Sequence, residues 1–267
     1  MSPPHQLVIF GATGRMGRSL VHALAENPRF ALKGAVASPS SAGLGKSPFG
    51  AGTAGGVVIT DDAQRALAGA TLAIDFSLPQ AVGAHACACA EAGVPLLIGA
   101  TGLDAAALAS VESAARRIAV LLAPNTSIGV AVVAKLVALA AEALGPGYDV
   151  EILEAHHRMK RDAPSGTALR LGETVARVRG RTLDRSAVYD RHGQTGPREP
   201  GSIGFSVVRA GDIVGEHTVL FAAEGERIEI THRATDRLGF ARGALRAAEW
   251  LIGRPAGLYR MEDLVGP

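Results

Sequence analysis

Cysteine is almost missing from this sequence: Cys87 and Cys89 are the only two in 267 residues. One pair makes no disulfide framework, and no neighbouring histidine completes a zinc set, so no metal is expected. Two positions apart on a helical stretch, the thiols leave in different directions. A reducing cytoplasm is the expected setting. Aromatic residues are scarce at 4% while apolar residues reach 48%, so a sizeable core must be built from small aliphatic side chains packed helix on sheet. Charge of one sign is also lacking. A formal net charge of +2 argues against nucleic acid or an anionic membrane as partner. The stretch Met1–His5 lacks the charged and apolar regions of a signal peptide. Apolar runs read as too short or too glycine-broken to span a bilayer.

What the sequence has is alternation. Leu7-Val8-Ile9-Phe10 reads as a short buried strand, followed at once by Gly11-Ala12-Thr13-Gly14-Arg15-Met16-Gly17. A helix over 15–26 places Met16, Leu20, Val21 and Leu24 on one stripe. Strand, glycine-rich turn and helix make the first βα unit of a dinucleotide-binding fold, in which glycines admit a pyrophosphate close to the backbone. The spacing is GxxGxxG, and a tight turn without ligand is the bland alternative. Further strands are expected at 32–38, 57–60, 71–77, 95–99 and 119–123, with helices near 62–68, 79–92 and 104–117. Continuous apolar strands separated by such helices mean a parallel sheet covered on both faces. Ligands in such sheets bind beyond the C-terminal strand ends. There the chain places Asp75-Phe76-Ser77, Gly99-Ala100-Thr101-Gly102 and Pro124-Asn125-Thr126-Ser127. The second strand ends in Ala37-Ser38-Pro39, with neither an acid for a ribose diol nor an arginine for a phosphate, so NADH and NADPH both stay open. Residues 39–56 read as a mobile surface loop.

A long helix over 128–144, capped by Ser127, leads into a second region. Residues 149–156 alternate as a strand, and the period of two returns at 203–208, 216–221 and 227–232. The fold class expected is α/β: a Rossmann-type doubly wound parallel sheet over residues 1–127, and an α+β domain with an open mixed sheet over 128–237. That second domain is expected to bind substrate and to form oligomers, since its sheet needs a cover. The last helix, 240–251, is expected to return to the first domain, taking 238–267 with it.

The chemistry concentrates in Glu154-Ala155-His156-His157-Arg158-Met159-Lys160-Arg161-Asp162-Ala163-Pro164-Ser165-Gly166-Thr167-Ala168. Two histidines stand just before a lysine, and a turn leads into a helix. Pro164 suits a first helical turn, which would leave the amides of Ser165, Gly166 and Thr167 outward and unpaired. With the helix dipole behind them they form an anion seat, and His156, His157, Arg158, Lys160 and Arg161 add a cationic wall. An acidic small molecule is the implied ligand. The bland reading is a solvated basic face followed by an ordinary capping turn. His22, His85, His192 and His232 read as structural or surface residues.

These residues closely resemble the central motif of the 4-hydroxy-tetrahydrodipicolinate reductase family, also called dihydrodipicolinate reductases. The likeness extends to Gly11–Gly17, Asp75-Phe76-Ser77, Gly99–Gly102, 125–130 and 208–217. It implies NADH- or NADPH-dependent reduction of a small cyclic dicarboxylate in the diaminopimelate route to lysine. It implies His156 as general acid/base and Lys160 as proton donor, with His157, Ser165, Gly166 and Thr167 holding substrate. Gly11, Ala12, Thr13, Gly14, Arg15, Met16, Ser38, Gly99, Ala100, Thr101, Ala123, Pro124, Asn125 and Thr126 would hold the cofactor, and a homotetramer is implied. The family often carries an acid, sometimes with an arginine, where this chain has Ser38-Pro39. Two other readings remain: another amino-acid-pathway dehydrogenase, such as a homoserine or aspartate dehydrogenase, and a non-catalytic dinucleotide-sensing regulator. Neither has a use for His-His-x-x-Lys followed by Ser-Gly-Thr.

Overall fold

A computed structural model describes residues 3–50 and 56–266. In chain order the elements are β1 (His5–Phe10), α1 (Arg15–Leu24), β2 (Phe30–Val36), β3 (Ile59–Thr60), α2 (Ala63–Leu67), β4 (Leu72–Asp75), α3 (Pro79–Ala92), β5 (Leu96–Ile98), α4 (Ala105–Ala115) and β6 (Ala119–Leu122). Then come α5 (Ile128–Leu144), β7 (Asp149–His156), α6 (Gly166–Val178), β8 (Ala187–Val188), β9 (Ile203–Arg209), β10 (Gly215–Ala223) and β11 (Glu226–Ala234). The chain closes with α7 (Leu238–Leu251), β12 (Gly257–Tyr259) and α8 (Met261–Leu264). It divides into two compact units, Met1–Ser127 with Leu238–Pro267, and Ile128–Arg237.

The first unit is a seven-stranded sheet in the order β12-β6-β5-β4-β1-β2-β3, parallel at every pairing. Strand side chains such as Val8, Phe10, Ala73, Leu96, Ile98 and Val120 form one core with Val82, Ala86 and Cys89 of α3 and Val111 of α4. On α7, Ala241, Ala244, Ala247 and Ala248 are buried, and their small size lets this helix lie close over β4, β5 and β6. The chain builds β2 and β3 to one side of β1, then crosses to β4 on the other. The crevice between β1 and β4 is therefore the switch point where such sheets bind ligands.

The second unit is a five-stranded mixed sheet, β11-β10-β7-β9-β8. β10 runs antiparallel to β7 and β11, while β9 is parallel to β7 and β8. Val133 and Val137 of α5 and Leu171 and Val175 of α6 cover one face, meeting Val150, Ile152, Phe205, Val219 and Phe221. Gly172 is required here, since a Cβ would lie 2.7 Å from the Phe205 ring. The alternate residues Leu153 and Val208 stay exposed.

Three expectations are corrected. Residues Ile128–Gly147, with mean hydropathy 2.0, are long and apolar enough to cross a membrane by length and composition. One face of α5 packs against α6 and β11, while Val132, Leu136 and Leu139 on the other are exposed. The strand expected over 57–60 is confined to Ile59–Thr60, because Val58 is exposed and pairs with nothing. The loop expected to be mobile is tied down where it is described: Gly45 N–H donates to Ile59 O and Ile59 N–H to Lys46 O. Residues 51–55 of that loop, and Met1 and Ser2 of the N-terminal stretch, lie outside the described residues.

Candidate active site

Along β7 the side chains of Val150, Ile152, Glu154 and His156 all turn to the buried face. The first two are core. The last two put a carboxyl and an imidazole at the strand's C-terminal end. Pairing across the sheet brings the rest. His217 of β10 lies opposite Glu154, and Arg209 of β9 lies opposite His156.

The Glu154 side chain is fully buried. Its Oε2 is 2.6 Å from His156 Nδ1, and Arg209 donates to both carboxylate oxygens at 2.7 Å. Its Oε1 also accepts the Ser165 N–H at 2.9 Å. Burial pushes this carboxyl up, but hydrogen bonds from Arg209, His156 and Ser165 outweigh it and hold the group below the usual carboxylate range. His156 moves down from the ordinary imidazole value. Burial is the main cause; Glu154 opposes it, and the charges of Lys160 and Arg209 add to it. The imidazole is thus neutral near pH 7 and able to take a proton. This corrects the cationic wall: His156 does not belong to it.

Lys160 follows on a turn closed by its own N–H to His157 O at 3.0 Å. Its Nζ is 2.9 Å from Asp162 Oδ1. Arg158 and Arg161 are exposed, and His157 is half-buried. The anion seat differs from expectation in one respect. Pro164 precedes the helix, after a cis bond from Ala163, and Ser165 is the N-cap, its hydroxyl accepting from Ala168 N–H at 3.2 Å. The Ser165 amide is already taken by Glu154. What remains open is Gly166 at the first helical position, where a Cβ would meet no atom within 4 Å. Thr167 follows, half-buried.

His217 completes the cluster, its Nε2 2.9 Å from Ser165 Oγ and its ring edge-on to His156 at 5.1 Å. Burial, helped by His156, pushes it down to about 4. The unfolded chain, with an ordinary value near ~6.5, therefore takes up this proton first. The neutral ring's contribution is full above that value and is lost as pH falls towards 4, of order 3 kcal/mol. Thermal melts across this window should show a steep fall in Tm that His217→Gln flattens; parallel curves for both proteins would contradict it.

In the first unit Gly11 has φ +75°, and a Cβ there would lie 2.6 Å from Phe76 O, so only glycine fits between β1 and the loop after β4. A Cβ on Gly17 would lie 2.2 Å from Gly11 O, so this glycine seats α1 against the turn. Gly14 is the N-cap and has no side chain to cap with. Among the described residues the Arg15 and Met16 amides have no hydrogen-bond partner, as a pyrophosphate seat requires. The amides of Ala12 and Gly14 are used by Val36 O and Gly11 O. Thr13 is half-buried and Arg15 exposed.

Gly99 N–H donates to Asp75 O and Ala123 N–H to Ile98 O. Ala100 is buried, while Thr101 and Pro124 are exposed. Asn125 Oδ1 accepts from Ser127 N–H at 2.9 Å. Thr126 is buried and its hydroxyl donates to Phe240 O at 2.8 Å, clamping α7. Ser38 is exposed, its Oγ 3.0 Å from Ser40 Oγ. His85 is the structural residue of the two kinds expected: its Nδ1 is 2.8 Å from the buried Asp75 carboxyl, and its ring stacks on Phe10 at 4.1 Å. Among the described residues, no group of three His, Cys, Asp or Glu side chains could hold a metal ion.

Glu154, Arg209 and His217 were missed as functional residues from sequence. For Glu154 a signal existed, since it stands two positions before His156 and so shares its strand face. Arg209 and His217 depend on strand pairing across more than fifty residues.

Comparison with known proteins gives the family and the fold. Residues 5–126 match the family description "Dihydrodipicolinate reductase, N-terminus" and residues 129–265 match "Dihydrodipicolinate reductase, C-terminus". A 4-hydroxy-tetrahydrodipicolinate reductase of Thiobacillus denitrificans is 53% identical over 262 residues, 98% of each chain. One of Anaeromyxobacter dehalogenans is 52% identical, over 98% of this chain and 97% of its own. Among solved structures, a dipicolinate-bound dihydrodipicolinate reductase from Paenisporosarcina sp. TG-14 superimposes with TM-score 0.78 at 25% identity, covering 97% of this chain and 99% of its own. An amine dehydrogenase from Mycobacterium smegmatis, 14% identical with TM-score 0.66 over 97% of this chain and 95% of its own, shares the fold.

Proposed function

The chain belongs to the dihydrodipicolinate reductase family, and from that premise we propose which of its residues carry the reaction. It catalyses the NADH- or NADPH-dependent reduction of 4-hydroxy-tetrahydrodipicolinate to tetrahydrodipicolinate, a step of the diaminopimelate route to lysine. The bound nicotinamide supplies a hydride. The reduction also consumes one proton and releases the ring hydroxyl as water, so the protein must move protons on and off the ring. His156 takes and returns a proton at Nε2, and Lys160 donates from Nζ. His157, Gly166 and Thr167 hold the ring carboxylates beside the start of α6, where the helix dipole favours negative charge, while Ser165 acts as the cap that aims that start, its amide and hydroxyl being already bonded.

In the first unit, Gly11 to Met16 hold the pyrophosphate. Ala12 acts by its small size, since its amide is already bonded. Gly99, Ala100 and Thr101, with Pro124 and Asn125, line the nicotinamide half, while Ala123 and Thr126, both buried, act by holding the end of β6 and α7 in place. The observation that carries the reading is the buried imidazole of His156, held by Glu154 at 2.6 Å, with Lys160 on the turn that follows and the open start of α6 beyond it. A coupled assay with freshly generated cyclic substrate tests it. Oxidation of NADH or NADPH that depends on that substrate is expected; cofactor binding without turnover would instead favour the sensor.

Ser38 stands where the choice of cofactor is made. A carboxylate at the end of β2 would bind the ribose diol and repel a 2′-phosphate; a serine does neither. Ser38→Asp should lower kcat/KM for NADPH by about 10-fold or more, while NADH is kept. Equal effects on both cofactors would remove Ser38 from the adenine ribose site.

We further propose a cytoplasmic homotetramer assembled through the open sheet face of the second unit, where Leu153 and Val208 are exposed. Light scattering should give the mass of four chains; a monomer would contradict it.

A further inference from the structure

We infer that Glu154 is a positioning residue that joins the proton-handling imidazole to the carboxylate seat, so that one buried side chain aligns both halves of the substrate site. The inference rests on the reading of His156 as acid/base and extends it to a residue that touches no substrate.

Glu154 holds three separate segments. Oε2 fixes His156 at the end of β7 at 2.6 Å. Oε1 fixes the Ser165 amide, the N-cap of α6, at 2.9 Å. Arg209 of β9 grips both oxygens and reaches on to Asp162 O at 2.6 Å, in the segment before α6. The carboxyl is fully buried, and all four contacts are donors to it, so it is held ionised.

Two consequences follow. An ionised carboxylate at Nδ1 can only accept, so the hydrogen of the neutral ring must sit on Nδ1. The lone pair is then on Nε2, the edge that faces Gly215; a Cβ at that position would lie 3.0 Å from Nε2. Glu154 thereby chooses which nitrogen exchanges protons. By taking the Ser165 amide, it also sets the direction in which α6 starts, and so where Gly166 and Thr167 meet a carboxylate. The charged and titratable groups facing His156 are Glu154 on β7, Lys160 on the following turn, Arg209 on β9 and His217 on β10. Glu154 is the only anion among them, so losing it makes protonation of His156 harder.

Glu154→Gln keeps size and shape, although its NH₂ would also face Arg209 Nη1, so a melting curve accompanies the kinetics. An amide NH₂ set against Nδ1 would reverse the tautomer and leave Nε2 protonated. The expected result is a fall in kcat of about 10²-fold, a smaller change in KM for the dicarboxylate, and a shift of the acidic limb of kcat/KM to lower pH. Glu154→Asp, which keeps the charge, should recover part of the rate. Wild-type rate and pH profile in the Gln variant would overturn the proposal. Nitrogen-15 NMR of the His156 ring in the wild-type protein gives a readout that needs neither variant to fold. Hydrogen on Nδ1 is expected, and hydrogen on Nε2 would overturn the proposal. If NMR shows Nδ1–H while His156→Ala keeps its rate, the acid/base assignment fails but the positioning geometry stands.

Discussion

Replacing Lys160 by alanine lowers kcat by about 10²-fold or more, and His156→Ala does the same, the range general acid–base catalysis supplies. Neither loss is explained by unfolding. Lys160 is partly exposed and its one ion-pair partner, Asp162, is more exposed still. Its removal therefore strands no buried charge, and an exposed pair of this kind contributes little to stability. His156→Ala takes one donor from Glu154, but Arg209 and Ser165 remain. The two residues act on one substrate, so their effects should not add. The double variant is expected to be little slower than either single one. Dissociation constants for NADH and NADPH, read by calorimetry, should stay at wild-type values. Near-normal turnover in both single variants would remove these roles.

The second large effect is expected at Gly166. This residue opens α6, and a Cβ there meets nothing within 4 Å, so a side chain can be added without crowding. Aspartate in a first helical turn interacts favourably with the helix dipole, by about 0.3–1 kcal/mol. Gly166→Asp should therefore fold at least as well as the wild type. The same charge occupies the seat meant for a ring carboxylate. KM for the dicarboxylate should rise about 10- to 100-fold, through repulsion at close range in a partly desolvated site. Gly166→Ala, which adds bulk without charge, should have a much smaller effect. Melting and steady-state assays together decide the matter: an unchanged KM in the aspartate variant would mean the substrate does not bind at this helix start.

Much of the fold was legible because its signals are local. The helices at 79–92 and 128–144 and the strand at 149–156 match α3, α5 and β7 in both bounds. Long apolar periodicity and flanking turn residues declare such elements within one window. The glycine-rich turn was legible for the same reason, since Gly11, Gly14 and Gly17 act within one βα unit. The edge strands β8 and β12 were missed. They have two and three residues, too few to show a period, and owe their existence to parallel pairing with β9 and β6.

The site divides along the same line. His156, Lys160, Ser165 and Gly166 lie within eleven consecutive positions and could be read together. Glu154 was visible in the strand's alternation, yet its importance appears only when Arg209 closes on it from β9. Pro164 misled for a physical reason. Proline suits a first helical turn in general, but here Ser165 caps α6 instead, and its buried amide is satisfied by Glu154.

The most direct measurement of the central claim, that an ammonium at position 160 delivers a proton to the ring, is chemical rescue. Lys160→Ala should be assayed in increasing methylammonium at constant ionic strength, with NADPH oxidation followed on freshly generated substrate. Restoration of a measurable part of the lost rate, saturating with the amine and absent for a quaternary ammonium that has no proton to give, is the predicted result. A rate indifferent to every amine, or restored equally by the quaternary ion, would contradict proton delivery from Lys160.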